Sequence, residues 1–176
     1  MSQLPDIIRE IPRVAADVVA QAATYQAAIL ADVAGRRGTL HGRISPVHEQ
    51  MKVAGPAFTV EVRPGDNLMI HAAIALAQPG DVLVIDGKAD LTAALMGTLM
   101  LSACKKRGLA GVVIDGAIRD KLELLDLGFP VFCAGYNPAG PTKYVPGRIN
   151  HAISAGGATI QPVSYTHLTL PTILLV

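Results

Sequence analysis

The chain has 176 residues, of which 51% are hydrophobic and 16% charged, and its formal net charge is +1. That length supports one ordinary domain with a substantial core, and the near-neutral charge provides no field suited to nucleic acid or to an anionic membrane. There is no Trp and few aromatic residues, which excludes a base-stacking surface, while the high apolar fraction suggests burial against other subunits.

The N-terminal stretch MSQLPDIIREIPR carries acidic residues and no apolar centre, so it does not read as a signal peptide. No apolar run reaches the ~18 residues of a membrane span. From about residue 12 to 34 the sequence is Ala-rich without internal Gly or Pro, which predicts one helix closed by Gly35. KVAGPAFTVEV, 52–62, is rich in β-formers and predicts a strand kinked at Gly55-Pro56. Asp66 and Asn67 follow a Pro-Gly turn and could cap a helix over 67–77. DVLVID, 81–86, is a continuous apolar run typical of a strand covered on both faces.

Thr92 through Arg107 predicts a helix, with basic residues in its last turn and Gly108 just past its end. AGVVIDG, 110–116, predicts a second covered strand. A short helix follows from Asp120 to Leu127, ended by Gly128, and then a third strand, PVFCAG, 130–135. YNPAGPTKYVPG is a Gly/Pro loop, and RINHAI and GATIQP read as short strands. The class is α/β, with successive parallel strands each ending in an Asp-Gly turn. Sites in such sheets lie beyond the carboxyl ends of the strands, which puts Asp86-Gly87 and Asp115 through Asp120 along one rim. Cys104 and Cys133 form neither a disulfide framework nor a metal knuckle. They read as reduced core residues, which fits a cytoplasmic location.

The final segment, Val163–Val176, stands apart. It has no helical or strand period that continues what precedes it, and Val163–Thr172 resembles the translation of a transposon-end sequencing adapter in one frame, with an index and a stop codon expected to account for the last residues. It is therefore set aside, which leaves a single domain over 1–162 and the expectation that the natural protein continues with other residues.

Two stretches carry candidate chemistry. VVIDGAIRD ends by presenting Arg119 beside Asp120. One reading is local: Asp120 caps the following helix, Glu123 completes a capping box, and Arg119 lies on the surface. The other makes Asp120 a ligand for a hard divalent cation and Arg119 the grip on an anionic oxygen. In MGTLM, 96–100, Gly97 costs roughly 1 kcal/mol inside a helix. Either it allows close helix packing, or the helix begins near it and offers free N–H groups to an anion. His71 on an amphipathic helix reads as structural, and His48-Glu49 as a loop pair. No nucleotide, zinc-protease or serine-hydrolase motif is present.

Taken together, GPAFTV, GDVLVIDG, LMGTLM, RGLAGVVIDGAIRD and LGFPVFCAG resemble the RraA-like family over roughly residues 28–162. That family contains the regulator of ribonuclease E activity A. It also contains 4-hydroxy-4-methyl-2-oxoglutarate and 4-carboxy-4-hydroxy-2-oxoadipate aldolases, which decarboxylate oxaloacetate as well. The resemblance implies a swivelling β/β/α domain, C-terminally truncated here. It further implies a homotrimer or hexamer with sites between subunits, and a small 2-oxo acid as substrate.

It also implies Asp120 as the ligand of Mg²⁺ or Mn²⁺ and Arg119 as the catalytic and substrate-binding arginine. Backbone amides of Gly97, Thr98, Leu99 and Met100 would hold the pyruvyl carboxylate. The implied function is a divalent-metal-dependent class II aldolase with oxaloacetate decarboxylase activity; the alternative is a non-catalytic inhibitor of ribonuclease E. Two departures stand out. Active aldolases often carry an acid where this chain has Thr98. The family also takes a further acid from the C-terminal region of a neighbouring subunit, which the adapter-like tail replaces here.

Overall fold

The computed structural model describes residues 6–169 and 172–175. In chain order its elements are β1 (Asp6–Ile7), α1 (Ala16–Ala22), α2 (Ala27–Val33), β2 (Ser45–Pro46), β3 (Val53–Glu61), α3 (Leu68–Leu76), β4 (Val82–Met96) and α4 (Thr98–Lys106). These are followed by β5 (Gly111–Ile118), α5 (Lys121–Leu127), β6 (Val131–Tyr136), β7 (Arg148–Ile149), β8 (Ile153–Ala155), β9 (Ala158–Ile160), β10 (Tyr165–Thr169) and β11 (Thr172–Leu175).

Strands β3, β4, β5 and β6 lie side by side in that order, all parallel, and α3, α4 and α5 make the three crossovers. Val82–Ile85 and Val112–Ile114 are buried throughout, as the continuous apolar runs predict for strands covered on both faces. Short strands finish the sheet: β7 antiparallel on β3, β1 outside β7, and β2 antiparallel on β6. Both cysteines are free and buried in this core, and burial pushes the Cys104 thiol up to about 12. No helix among the described residues is long and apolar enough to cross a membrane.

The predicted helix over 12–34 is two helices. Thr24 ends the first by donating its hydroxyl to the Gln21 carbonyl at 2.7 Å, while the Thr24 and Tyr25 amides make tight bonds back to Gln21 and Ala22. The predicted helix over 92–107 begins only at Thr98. Residues 92–96 belong to β4, which is far longer than the run 81–86 suggested.

That length positions the site. Strand β4 pairs with β5 up to Ile85↔Ile114, bulges outward over 88–93 with one intermediate pairing at Asp90↔Gly116, and rejoins at Ala94↔Ala117 and Met96↔Ile118. The expected Asp-Gly turns do not exist: Asp86-Gly87 lies inside β4 and Asp115-Gly116 inside β5. The glycines serve packing instead. A Cβ at Gly87 would stand 2.7 Å from Leu95 Cδ1, and one at Gly116 would stand 3.1 Å from the same atom. The slot between them receives the returning Leu95.

The two acids of those pairs are occupied structurally. Asp86 accepts from Lys88 Nζ at 2.7 Å. Asp115 accepts two bonds from Arg43, at 2.9 and 2.8 Å, and one from the Gly156 amide at 2.7 Å.

The C-terminal segment set aside from the fold expectation is strand over Tyr165–Thr169 and Thr172–Leu175. The β3 edge over 53–57 is not used by β7, and the backbone of 163–168 hydrogen-bonds along it before turning back into β11. An unpaired strand edge accepts any extended, β-branched segment that reaches it.

Candidate functional site

When β4 rejoins β5, the chain at 96–97 runs alongside 118–120, and the Arg119 amide donates to the Met96 carbonyl at 3.0 Å. Gly97 is extended and stands at the N-cap position of α4. Of the two readings of Gly97, the helix start is therefore the correct one. Asp120 stands before α5 in the left-handed region, with φ 65° and ψ 43°. It makes no capping bond to its own helix. Its Oδ2 accepts instead from the Thr98 amide at 3.0 Å, so the capping-box reading is overturned. A left-handed residue with a Cβ costs roughly 1–2 kcal/mol, least for Asn and Asp, and here it turns the carboxylate toward α4.

Gly97 is required by this approach. A Cβ there would lie 2.5 Å from Asp120 Oδ2 and 3.0 Å from Arg119 Cγ. Asp120 and the Arg119 side chain are both partly exposed, and Arg119 Nε only grazes Asp120 Oδ1 at 4.0 Å. The pair does not neutralise itself. Both residues line a cavity of about 190 Å³, whose wall also includes Asn67, His71, Gly97, Met100 and Lys143. The Thr98 amide is taken by Asp120 and that of Leu101 by the Gly97 carbonyl at 3.1 Å. The amides of Leu99 and Met100, in the first turn, have no acceptor within the helix. The structure thus brings Gly97, Thr98, Met100, Arg119 and Asp120 together. The Leu99 side chain points to solvent, 88% exposed, and only its amide belongs to this set.

Three wall residues were not read from the sequence as site residues. Asn67 was taken as a cap, yet the cap bond comes from Asp66, whose Oδ1 accepts from the Leu68 amide at 3.0 Å. Asn67 turns inward, 2% exposed, and donates to the Leu95 carbonyl at 2.9 Å. Its Oδ1 has no partner among the described residues, and neither has the buried Thr98 hydroxyl. The signal for Asn67 was redundancy: a second capping residue next to one that already suffices. His71 was read as structural; its ring lines the cavity, and burial together with nearby Lys143 holds it below its ordinary value, neutral at pH 7. Lys143 reaches the wall from the Gly/Pro loop, and no local pattern marks it.

The loop is strapped in place by Asp66. Its Oδ2 accepts from the Thr142 hydroxyl at 2.6 Å and from the Tyr144 and Val145 amides at 2.8 and 3.3 Å. Burial works against its charge, but the Thr142 hydroxyl and these amides outweigh it and hold the carboxyl below its usual range.

Among the described residues no group of three or more His, Cys, Asp or Glu converges, so a zinc-type cage is not built within one chain. Asp120 is the one carboxylate among the described residues lining the cavity. A single carboxylate with one free oxygen, beside orphaned buried oxygens of Asn67 and Thr98, fits a hard cation that keeps waters and takes its other ligands from substrate.

Comparison with known proteins identifies the family. Residues 15–167 match the family described as RraA-like: Aldolase/RraA. A protein of Halalkalibacterium halodurans, named provisionally as a 4-hydroxy-4-methyl-2-oxoglutarate aldolase, is 42% identical over 146 residues, 83% of this chain and 70% of that protein. One from Burkholderia multivorans with the same provisional name is 33% identical, over 73% of this chain and 78% of that protein. Among solved structures, Streptomyces coelicolor RraAS2, described as an unusual member of the RNase ES inhibitor RraA protein family, superimposes with a TM-score of 0.85. It is 26% identical and covers 95% of this chain and 87% of its own.

Proposed function

Because the chain belongs to the RraA-like family, we propose that it is a class II pyruvate aldolase, a metal-dependent lyase that cleaves 4-hydroxy-2-oxo acids and decarboxylates oxaloacetate at the same site. The observation that carries this reading is the turned Asp120. It leaves its own helix and lies against Gly97, with Arg119 opening onto the same cavity. A merely structural Asp-helix junction has no use for a left-handed carboxylate and a glycine-only contact.

Asp120 would hold the cation, Mg²⁺ or Mn²⁺, which would act as a Lewis acid at the 2-keto oxygen. The Leu99 and Met100 amides would face the carboxylate end of the pyruvyl group, with the positive end of α4 behind them. Cleavage breaks the C3–C4 bond and leaves its electron pair on C3 as the enolate of pyruvate. The 4-hydroxyl proton departs as C4 becomes a carbonyl, and protonation at C3 gives pyruvate. Arg119 cannot lose its proton at any working pH, so it remains available to balance the developing enolate charge. Loss of CO₂ from oxaloacetate passes through the same enolate, and both reactions draw on one set of residues. Exposed Leu99, Leu122 and Tyr144 flank the site, at 88%, 75% and 83% exposure, and support an assembly in which a second copy covers them.

The test is pyruvate release from oxaloacetate and from a 4-hydroxy-2-oxo acid, with Mg²⁺, after EDTA, and in Asp120→Ala. Release with Mg²⁺ that is abolished by EDTA and by the substitution supports the reading. Equal rates in all three samples, or no release in any, overturn it.

A further inference from the structure

Cleavage of the C3–C4 bond moves a proton twice. The 4-hydroxyl gives one up, and C3 takes one once the enolate has formed. Arg119 can perform neither transfer, because a guanidinium holds its proton throughout. A side chain that both accepts and returns a proton is needed beside it.

Among the described residues the ionisable side chains on the wall of the smaller cavity are His71, Arg119, Asp120 and Lys143. Asp120 is held by the Thr98 amide at 3.0 Å and is the cation's ligand in the proposed reaction. Lys143 enters as a positive charge. Burial first, and then that charge, hold the His71 imidazole below its ordinary value, so the ring is a free base at pH 7.

The His71 ring is also uncommitted. His41 accepts from the Arg43 amide at 3.0 Å, His48 from the Gln50 amide at 3.2 Å, and His151 lies 3.1 Å from Asp6. His71 has no such partner among the described residues. It stands one turn along α3 from Asn67, on the same helix face. Asn67 is the inner of the two, buried and donating to the Leu95 carbonyl and the Met100 sulfur at 2.9 and 3.3 Å. His71 is the outer one, exposed, where it exchanges protons with water.

Resting on the aldolase reading, we propose that His71 is the proton carrier of the reaction. Its free ring nitrogen takes the 4-hydroxyl proton as the C3–C4 bond breaks, and the imidazolium returns a proton to C3. The O–H electron pair becomes the second bond of the new C4 carbonyl, and the C3–C4 pair enters the enolate. The ring ends as it began. Oxaloacetate has no hydroxyl proton to lose, so its CO₂ departs without help from His71.

The experiment follows three rates with Mg²⁺ in wild type and in His71→Asn. They are pyruvate release from a 4-hydroxy-2-oxo acid, exchange of the pyruvate methyl protons with D₂O, and CO₂ release from oxaloacetate above the metal-only background. The first two require proton transfer and are expected to fall about 100-fold or more in the variant, while the third stays within about twofold. A merely structural histidine would lower all three together. Occupancy is read separately by NMR with oxalate, a planar mimic of the enolate. The His71 ring signal, identified by its loss in the variant, is expected to shift while those of His41 and His48 stay. An equal loss in all three rates, no loss in the first two, or an unmoved ring signal overturns the role of His71 and leaves the aldolase standing. No pyruvate from any substrate in wild type overturns both.

Discussion

Gly97 and Asp120 are in contact range at the ends of two adjacent strands joined by one crossover: a Cβ on the glycine would lie 2.5 Å from the carboxylate oxygen that the Thr98 amide holds. Gly97→Ala is therefore expected to move the Arg119-Asp120 pair rather than unfold the chain. Because a displacement of about 1 Å costs on the order of 100-fold in rate, pyruvate release should fall by about that factor. Thermal unfolding measured alongside should show only a small loss, since alanine is a weaker N-cap than glycine by a fraction of a kcal/mol to about 1 kcal/mol.

Asp120→Asn separates backbone from charge. Asparagine tolerates the left-handed conformation as readily as aspartate, so the variant should fold with a stability change below about 1 kcal/mol. It removes the charge that would hold a divalent cation, and activity should drop by about 100-fold or more. Wild-type rates in a well-folded Asp120→Asn would refute the metal role.

Lys143 lies in the cavity wall, and an amine facing a keto acid raises the possibility of an imine. The mechanism proposed here needs none. Incubation with pyruvate and sodium borohydride should leave the mass of the chain unchanged; a stable pyruvyl adduct on Lys143 would replace the metal mechanism with a covalent one.

Two buried carboxylates make the fold sensitive to acid. Burial opposes the charge of both Asp66 and Asp115, but the Thr142 hydroxyl and loop amides at one, and Arg43 and the Gly156 amide at the other, hold each below its ordinary value of 3.8. A carboxyl lowered on folding contributes stability that is complete above that ordinary value and is lost as pH falls through it and below. Urea unfolding should thus show a midpoint flat near neutrality and falling below about pH 4. Asp66→Asn should flatten that acid slope while lowering stability at pH 7.

Arg43→Ala tests the other strap from the cationic side. It leaves Asp115 buried without its bidentate partner, which costs about 3 kcal/mol in such settings. Chemical denaturation at pH 7 would register it. An effect below about 0.5 kcal/mol would mean that the carboxylate finds solvent on relaxing.

The parallel frame was legible because a strand covered on both faces writes itself as an uninterrupted apolar run, as VLVI and GVVI do. The Arg119-Asp120 pair stood out in its motif, and the structure brings both residues to one cavity. The route by which the site is assembled was not legible. Residues 92–96, TAALM, have good helical propensity, and tertiary pairing with β5 overrode it. The Asp-Gly pairs looked like turns because glycine signals both a turn and a close approach, and only the neighbour across the sheet, Leu95, decides between them. Asn67 and Lys143 could not be placed on the cavity wall because both are brought there by the strap at Asp66, a contact between segments far apart in sequence.

The notch that receives Leu95 divides the strand into parts under different evolutionary pressure. The exposed excursion over 88–93 is tied at a few points, Asp90 opposite Gly116, the Leu91 carbonyl accepting from Asn137 and Lys88 on Asp86 and Glu61, and the side chains between these points can change with little effect on the Arg119-Asp120 geometry. A single methyl group at Gly87 or Gly116 has no such freedom: it would push Leu95 outward and carry the 96–97 segment, and its alignment with Arg119 and Asp120, along with it. Homologues should therefore vary widely in that excursion while keeping both glycines, and directed evolution of new substrate scope has its widest latitude in the same stretch.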